Sequence, residues 1–317
     1  MKTPVKAIIV GCQGPELTPQ EYALFQKYNP LGLILFRRNI QNPEQLKKLI
    51  VDFRKCVGRT NAPVLIDQEG GTVQRLKPPY WTKLPHAEEF GKLYLDDKKK
   101  AIRAVKKHAK TLAKDLLELG INCDCWPCLD VQHRDHNVMA HRCYSDSPEI
   151  VAELAQISID TALSAGLMPI VKHFPGYGRV IVDPHQKLPT VRASLKTLEK
   201  TDFYPFRQVD TPVWGMTAHV IYTALDREKP ATLSKTAIDY IRNKIGFNGF
   251  LICDDMTMGA LSSFGTPAEI ANKILMAGCD SVLHCNGIFA DMEALFPSIT
   301  KLSPLSQKRL KAAESLI

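Results

Sequence analysis

The sequence predicts an α/β fold, a single (β/α)8 TIM-type barrel occupying residues 1–317 as one domain. Three observations carry that prediction. Eight short apolar runs recur along the chain, helical stretches with start signals stand between most of them, and ionisable residues gather just beyond several of the runs. Uninterrupted apolar runs suit parallel strands covered on both faces, where a half-buried strand would alternate. A doubly wound open sheet is the alternative arrangement of the same elements. No internal repeat, low-complexity tract or shift in composition marks a second domain.

The first run, residues 7–12, sits in MKTPVKAIIVGCQG, which superficially resembles a lipoprotein signal ending at Cys12. Its apolar part is too short for a signal core and a polar QGPE follows, so it reads as a first strand. The remaining runs are 32–36, 63–67, 122–128, 168–173, 213–219, 250–255 and 281–285. Between them, Asn42-Pro43 with Gln45 and Thr266-Pro267 with Glu269 each have the spacing of a capping box, and Ser147-Pro148 gives another helix start. A stripe at helical spacing runs Ile102, Val105, Ala109, Leu112, Leu116, Leu119 and is expected to end at Gly120. Its other faces carry Lys98, Lys99, Lys100, Arg103, Lys106, Lys107, Lys110 and Lys114, read as a solvated face, with a phosphate-binding or nucleic-acid surface as the alternative.

Composition bounds the function. A hydrophobic fraction of 45% and a charged fraction of 23% describe an ordinary globular protein with a sizeable core and exclude a disordered chain. The net charge of +8 favours acidic partners, although much of it sits on one helix. Nine cysteines, an odd number without a disulfide-like framework, point to reduced thiols and a cytoplasmic location. No apolar stretch approaches the roughly 18 residues that span a bilayer.

A barrel requires functional residues at the C-terminal ends of several strands. The third run is followed by Asp67-Gln68-Glu69-Gly70-Gly71 and Arg75, and the fourth by Asp130 and Arg142. Lys172, His173 and a glycine loop carrying Asp183 and His185 follow the fifth. His219 ends the sixth and Asp254-Asp255 the seventh. Packing alone does not explain so many polar strand ends, and a convergent site does.

These residues resemble a known family. IDQEGGTVQRL (66–76), KHFPGYGRVIVDPHQKLP (172–189) and GFLICDDMTM (249–258) are similar to three signature blocks of the bacterial glycoside hydrolase family 3 β-N-acetylglucosaminidases. HRCYSDSP (141–148) and MTAHVIY (216–222) fall between them in matching order. The resemblance implies a retaining exo-hydrolase that removes terminal β-linked N-acetylglucosamine from cell-wall muropeptides during cytoplasmic recycling. It implies Asp254 as nucleophile, His185 as acid/base with Asp183 as its partner, and Asp67, Arg75, Arg142, Lys172 and His173 as sugar-binding residues. It implies a small-molecule carbohydrate substrate, no cofactor or metal, no nucleic-acid or membrane partner, and a monomer.

The chemistry agrees with those residue types. A retaining glycosidase needs a carboxylate nucleophile and a proton donor; an imidazole titrates near neutrality, and a neighbouring aspartate orients it. Adjacent strand residues face opposite ways, so only one of Asp254 and Asp255 can enter the barrel mouth. Periodicity does not choose between them. Read alone, without the resemblance, His173 is first a hydrogen-bonded core histidine. The CDCWPC stretch, with Cys123, Cys125 and Cys128 followed by His133 and His136, could hold a metal, but buried free thiols are the expectation. The chain departs from the family pattern at Tyr177, where a histidine is usual, at Pro184 between the dyad residues, and at Thr72 after the glycine pair. Alternative functions are a β-glucosidase-like or phosphorolytic enzyme, or a catalytically impaired sugar-binding barrel.

Overall fold

In the computed structural model, which describes residues 3–133, 139, 141–182 and 187–317, all eight apolar runs form parallel strands of one closed barrel. They are β1 (Lys6–Val10), β2 (Pro30–Leu35), β3 (Val64–Ile66), β4 (Cys123–Asp124), β5 (Met168–Phe174), β6 (Trp214–Thr217), β7 (Phe250–Asp255) and β8 (Ser281–His284). Each pairs with its sequence neighbours, and β8 closes on β1 through Ile8↔Val282, Ile9↔Leu283 and Val10↔His284. The open-sheet alternative is thereby excluded. Strand residues such as Ile8, Ile9, Leu33, Leu65, Val171 and Leu251 are fully buried because neighbouring side chains fill the barrel and helices cover its outside, which is why the runs carry no polar alternation.

Two expectations need correction. The run 122–128 pairs regularly over only Cys123–Asp124, because Pro127 has no N–H to continue the ladder; its carbonyl still accepts from Lys172 N, and an isolated bridge resumes at Cys128↔Lys172. The helix Pro43–Val57 is capped by the Asn42 side chain on Gln45 N, but it has no capping box. The Gln45 amide instead accepts from Gln41 N and donates to Asn39 O, tying the helix start to the 3-10 turn Arg37–Asn39 that follows β2. At Thr266 the full capping box forms. The lysine-rich helix spans Lys98–Leu117, and Gly120, at φ +90°, closes the chain reversal three residues beyond it.

Candidate active site

The C-terminal ends of β3, β4 and β5 build a buried cluster of charge. Asp67, directly after β3, accepts from Lys172 Nζ at 2.9 Å and from Arg75 Nη2 at 3.2 Å. Glu69 receives Lys172 Nζ at 2.7 Å and a two-pronged approach from Arg142, Nη2 at 2.7 Å and Nε at 3.0 Å. The geometry follows from the chain. A short antiparallel ladder, Gln68–Gly70 with Val73–Gln74, folds Arg75 back over Asp67, and the Gln68 side chain holds the backbone N–H groups of Arg75 and Leu76. The turn needs its glycine pair: Gly70 and Gly71 have φ of +103° and +56°, and a Cβ on Gly71 would stand 2.1 Å from His86 Nδ1.

Burial alone would push the Asp67 and Glu69 carboxyls up, but the cations beside them, Lys172 and Arg75 for Asp67 and Arg142 and Lys172 for Glu69, outweigh it and hold both below the usual carboxylate range. Lys172 is likewise held charged: burial disfavours its ammonium, and Asp67 and Glu69 more than restore it. Three cations against two anions leave the cluster with a formal charge of +1. Lys172 and Glu69 form its floor, with side chains 2% and 5% exposed, while Asp67, Arg142 and Arg75 are 17%, 20% and 29% open. Below lies Asp124 on β4. One of its oxygens accepts from Gln68 N at 2.9 Å, the other is buried with no partner among the described residues, and burial pushes this carboxyl well up. The charges of Asp67 and Glu69 add to burial in disfavouring a third anion there.

His173, at the end of β5, donates from Nδ1 to Asp130 Oδ2 at 2.7 Å. Asp130 also receives the backbone N–H of Tyr177 at 2.5 Å and the Cys128 thiol at 3.2 Å. The Tyr177 ring lies 5.4 Å from the His173 ring, so the residue that departs from the family pattern packs on the imidazole. Nε2 of His173 makes no hydrogen bond among the described residues. Cys128, Asp130 and His173 bring three ligand-type atoms within 4.8 Å of one another, and the hydrogen bonds to Asp130 account for the arrangement. His133 is bonded to Asp202 rather than to the CDCWPC cysteines, all three of which are buried free thiols; His136 lies outside the described residues.

At the end of β7 the two aspartates separate. Asp255 is fully engaged: Oδ1 accepts from Thr257 N and Cys285 N at 3.0 and 3.1 Å, and Oδ2 from the Thr257 hydroxyl at 2.7 Å. Asp254 accepts one hydrogen bond among the described residues, from the adjacent Asp255 N–H at 2.8 Å. His219 stands beside it, held by Thr232 Oγ1 and by the Asp255 carbonyl at 2.8 and 2.9 Å; burial lowers its affinity for a proton more than the charge of Asp254 raises it. The Cys285 thiol is pushed up first by burial and then by the charges of Asp255, Asp67 and Asp254.

The structure thus joins Asp67, Arg75, Arg142 and Lys172 directly. Asp254 and His173 share the neighbourhood of His219. Asp183 and His185 lie outside the described residues, as does Pro184. Two groups were noted among the strand-end charges but given no role. Glu69 stands two residues after Asp67, the spacing that repeats one face of an extended chain, and that parity could have paired them. The role of Asp130 shows only with its partner His173 on the next strand.

The family model for the glycosyl hydrolase family 3 N-terminal domain matches residues 12–317. The chain is 34% identical over 306 residues to a β-hexosaminidase of Alkalilimnicola ehrlichii, covering 96% of this chain and 87% of that one. A β-hexosaminidase of Nitrosomonas eutropha is also 34% identical, over 80% of this chain and 73% of its own. Among solved structures, NagZ of Neisseria gonorrhoeae in complex with N-trifluoroacetyl-D-glucosamine superposes with a TM-score of 0.89 at 32% identity, covering 98% and 90% of the two chains. A family 3 β-N-acetylglucosaminidase from Paenibacillus gives 0.87 at 29% identity, and this chain spans 61% of that longer one.

Proposed function

Since the chain belongs to glycosyl hydrolase family 3 and is a β-N-acetylhexosaminidase, we propose that it is a retaining exo-enzyme acting on terminal N-acetylglucosamine of cell-wall muropeptides, with Asp254 as its nucleophile. The observation that carries this reading is the division of labour at the end of β7, where Asp255 is spent on holding the loop and Asp254 keeps its carboxylate open.

In the proposed reaction Asp254 attacks the anomeric carbon while the His185 imidazolium gives its proton to the leaving oxygen. Water then attacks the glycosyl-aspartate as His185 takes its proton, which restores the anomeric configuration. Asp183 steadies the charged imidazole. Asp67, Arg75, Arg142, Lys172 and His173 orient the sugar, and the charged members of that set make stronger hydrogen bonds to hydroxyls than neutral groups would. Glu69 holds Lys172 and Arg142 in place. The positive cluster suits an aglycone that carries peptide carboxylates. A monomer working in the cytoplasm accords with nine free, buried cysteines.

Turnover of a chromogenic β-N-acetylglucosaminide, compared with the matching β-glucoside and with added phosphate, tests this reading. We expect the N-acetyl substrate to be preferred and phosphate to have no effect. Preference for the glucoside, a phosphate-dependent rate, or binding without turnover would each defeat it.

A further inference from the structure

The end of β6 reaches across to the end of β7 through one imidazole. The two strands run in register through Thr217↔Cys253, so the residues two further along each chain, His219 and Asp255, come together. His219 Nε2 lies 2.9 Å from the Asp255 carbonyl oxygen, which also accepts from Met258 N at 3.1 Å. A carbonyl only accepts, so Nε2 carries a proton. Burial, against the smaller pull of Asp254, disfavours the charged ring, and Nδ1 is therefore an acceptor.

The group facing Nδ1 is the Thr232 hydroxyl at 2.8 Å, and the Thr217 hydroxyl stands 2.8 Å behind that one. Each hydroxyl has one hydrogen to give. The chain then runs one way: Thr217 to Thr232, Thr232 to Nδ1, Nε2–H to Asp255. The Ala218 carbonyl also lies 3.0 Å from Thr232 Oγ1, but a hydrogen turned there would leave two lone pairs facing each other at Nδ1. Thr232 is kept in place by its short turn, Ala231–Leu233, whose Ala231 N–H bonds to the Val220 carbonyl just past His219.

Thr217, His219 and Thr232 are all fully buried, and burying three polar side chains is costly where apolar ones would pack. What this chain of bonds holds is residue 255. Asp255 is gripped through its carboxylate by Thr257 and by Cys285 N just after β8, and through its carbonyl by His219 from β6. The N–H of the same residue donates to Asp254 Oδ1 at 2.8 Å. Both ring bonds of His219 point elsewhere, so the imidazole steadies the support of Asp254 without occupying its carboxylate.

We propose, on the reading that Asp254 is the nucleophile, that His219 is its positioning residue: Thr232 holds the ring in the Nε2–H tautomer, and the ring fixes residue 255, on which Asp254 is aimed.

Turnover of the chromogenic N-acetylglucosaminide and the rate of labelling by a 5-fluoro N-acetylglucosaminyl inhibitor test this together. In His219→Leu, which loses both ring bonds, kcat and the labelling rate should each fall about 10²-fold, the scale of a misplacement of about 1 Å, while KM stays within about two-fold. In His219→Gln an amide nitrogen can take the place of Nε2, and kcat should recover to within about ten-fold of wild type. Thr232→Val should lower kcat at unchanged KM, and Thr232→Ser should restore it. Imidazole nitrogen NMR of the wild type near neutral pH should show His219 protonated at Nε2 and bare at Nδ1. Should His219→Leu not fold, the Thr232 pair and the NMR still decide. A raised KM at unchanged kcat, a lowered Tm with turnover of the folded enzyme intact, no recovery by Gln over Leu, or a proton on Nδ1 would each overturn the proposal. A wild-type adduct on Asp255, or on neither carboxylate, would defeat the nucleophile assignment and the proposal with it, whereas an Asp254 adduct formed equally fast in His219→Leu would defeat the proposal alone.

Discussion

The two sides of the barrel mouth handle negative charge in opposite ways. At β3 to β5, Asp67 and Glu69 are each held by two cations, so their charge is compensated before any substrate arrives. At β7, Asp254 accepts one backbone hydrogen bond among the described residues, while its neighbour Asp255 accepts three. The first arrangement suits a rigid template for hydroxyl groups, and the second suits a carboxylate that must form a bond. A carboxylate whose oxygens are already bonded to cations is a weak nucleophile, whereas one with few protein donors keeps its lone pairs available for attack.

That contrast breaks most visibly at its reactive side. Asp254→Ala should lower turnover by about 10⁶-fold, the scale on which loss of a covalent nucleophile acts, with Tm little changed. Asp255→Asn, which loosens the tie between β7 and β8, should act mainly on Tm. Equal activity losses in the two variants would erase the distinction between them.

The paired side should fail through stability instead. Lys172→Met leaves Glu69 with Arg142 alone and Asp67 with Arg75 alone, and removing one member of a buried ion cluster costs about 3–5 kcal/mol. Denaturant unfolding of this variant measures it. A loss under about 1 kcal/mol, the range of surface pairs, would mean the cluster is not held by its own charges.

Acid should loosen the same floor. His108 sits beneath it, bonded to the Glu69 carbonyl at 3.0 Å, and burial lowers its pKa from 6.5 to about 4. A depressed histidine contributes stability that is fully present above pH 6.5 and is lost as the pH falls toward 4. Over that window the loss approaches about 3 kcal/mol, and His108→Gln should flatten it. Below it, Asp67 and Glu69, both held low, lose their contribution in turn as the pH falls through their folded values. The smallest effect belongs to Asp124→Asn. The raised carboxyl contributes stability at low pH that is lost as the pH rises, so the variant should gain in Tm relative to wild type from pH 4 to pH 8. Parallel Tm curves would show that Asp124 carries no proton.

The same physical contrast decides what was legible in the sequence. All eight strands could be read because burial on both faces leaves an uninterrupted apolar run, and β4 was overdrawn only where Pro127 interrupts its ladder. Thr266 and Ser147 announced helix starts through local chemistry that needs no tertiary partner. Gln45 did not, since its amide bonds to the turn after β2 rather than closing a box on its own helix. At the site, Asp67, Lys172 and Arg142 stood out as charges on strand ends. Glu69 was hidden inside a turn motif, and Asp130 shows its role only when β4 lies beside β5. No pattern of spacing separated Asp254 from Asp255. The difference lies in hydrogen bonds donated by Thr257 and by the end of β8.

The central claim is that Asp254 forms the covalent bond while Asp255 serves the fold. Incubation with a 5-fluoro N-acetylglucosaminyl inhibitor, followed by peptide mapping, addresses it directly. The account predicts a single glycosyl adduct on Asp254 within GFLICDDMTM; an adduct on Asp255, or inhibition with no adduct on either carboxylate, would contradict it.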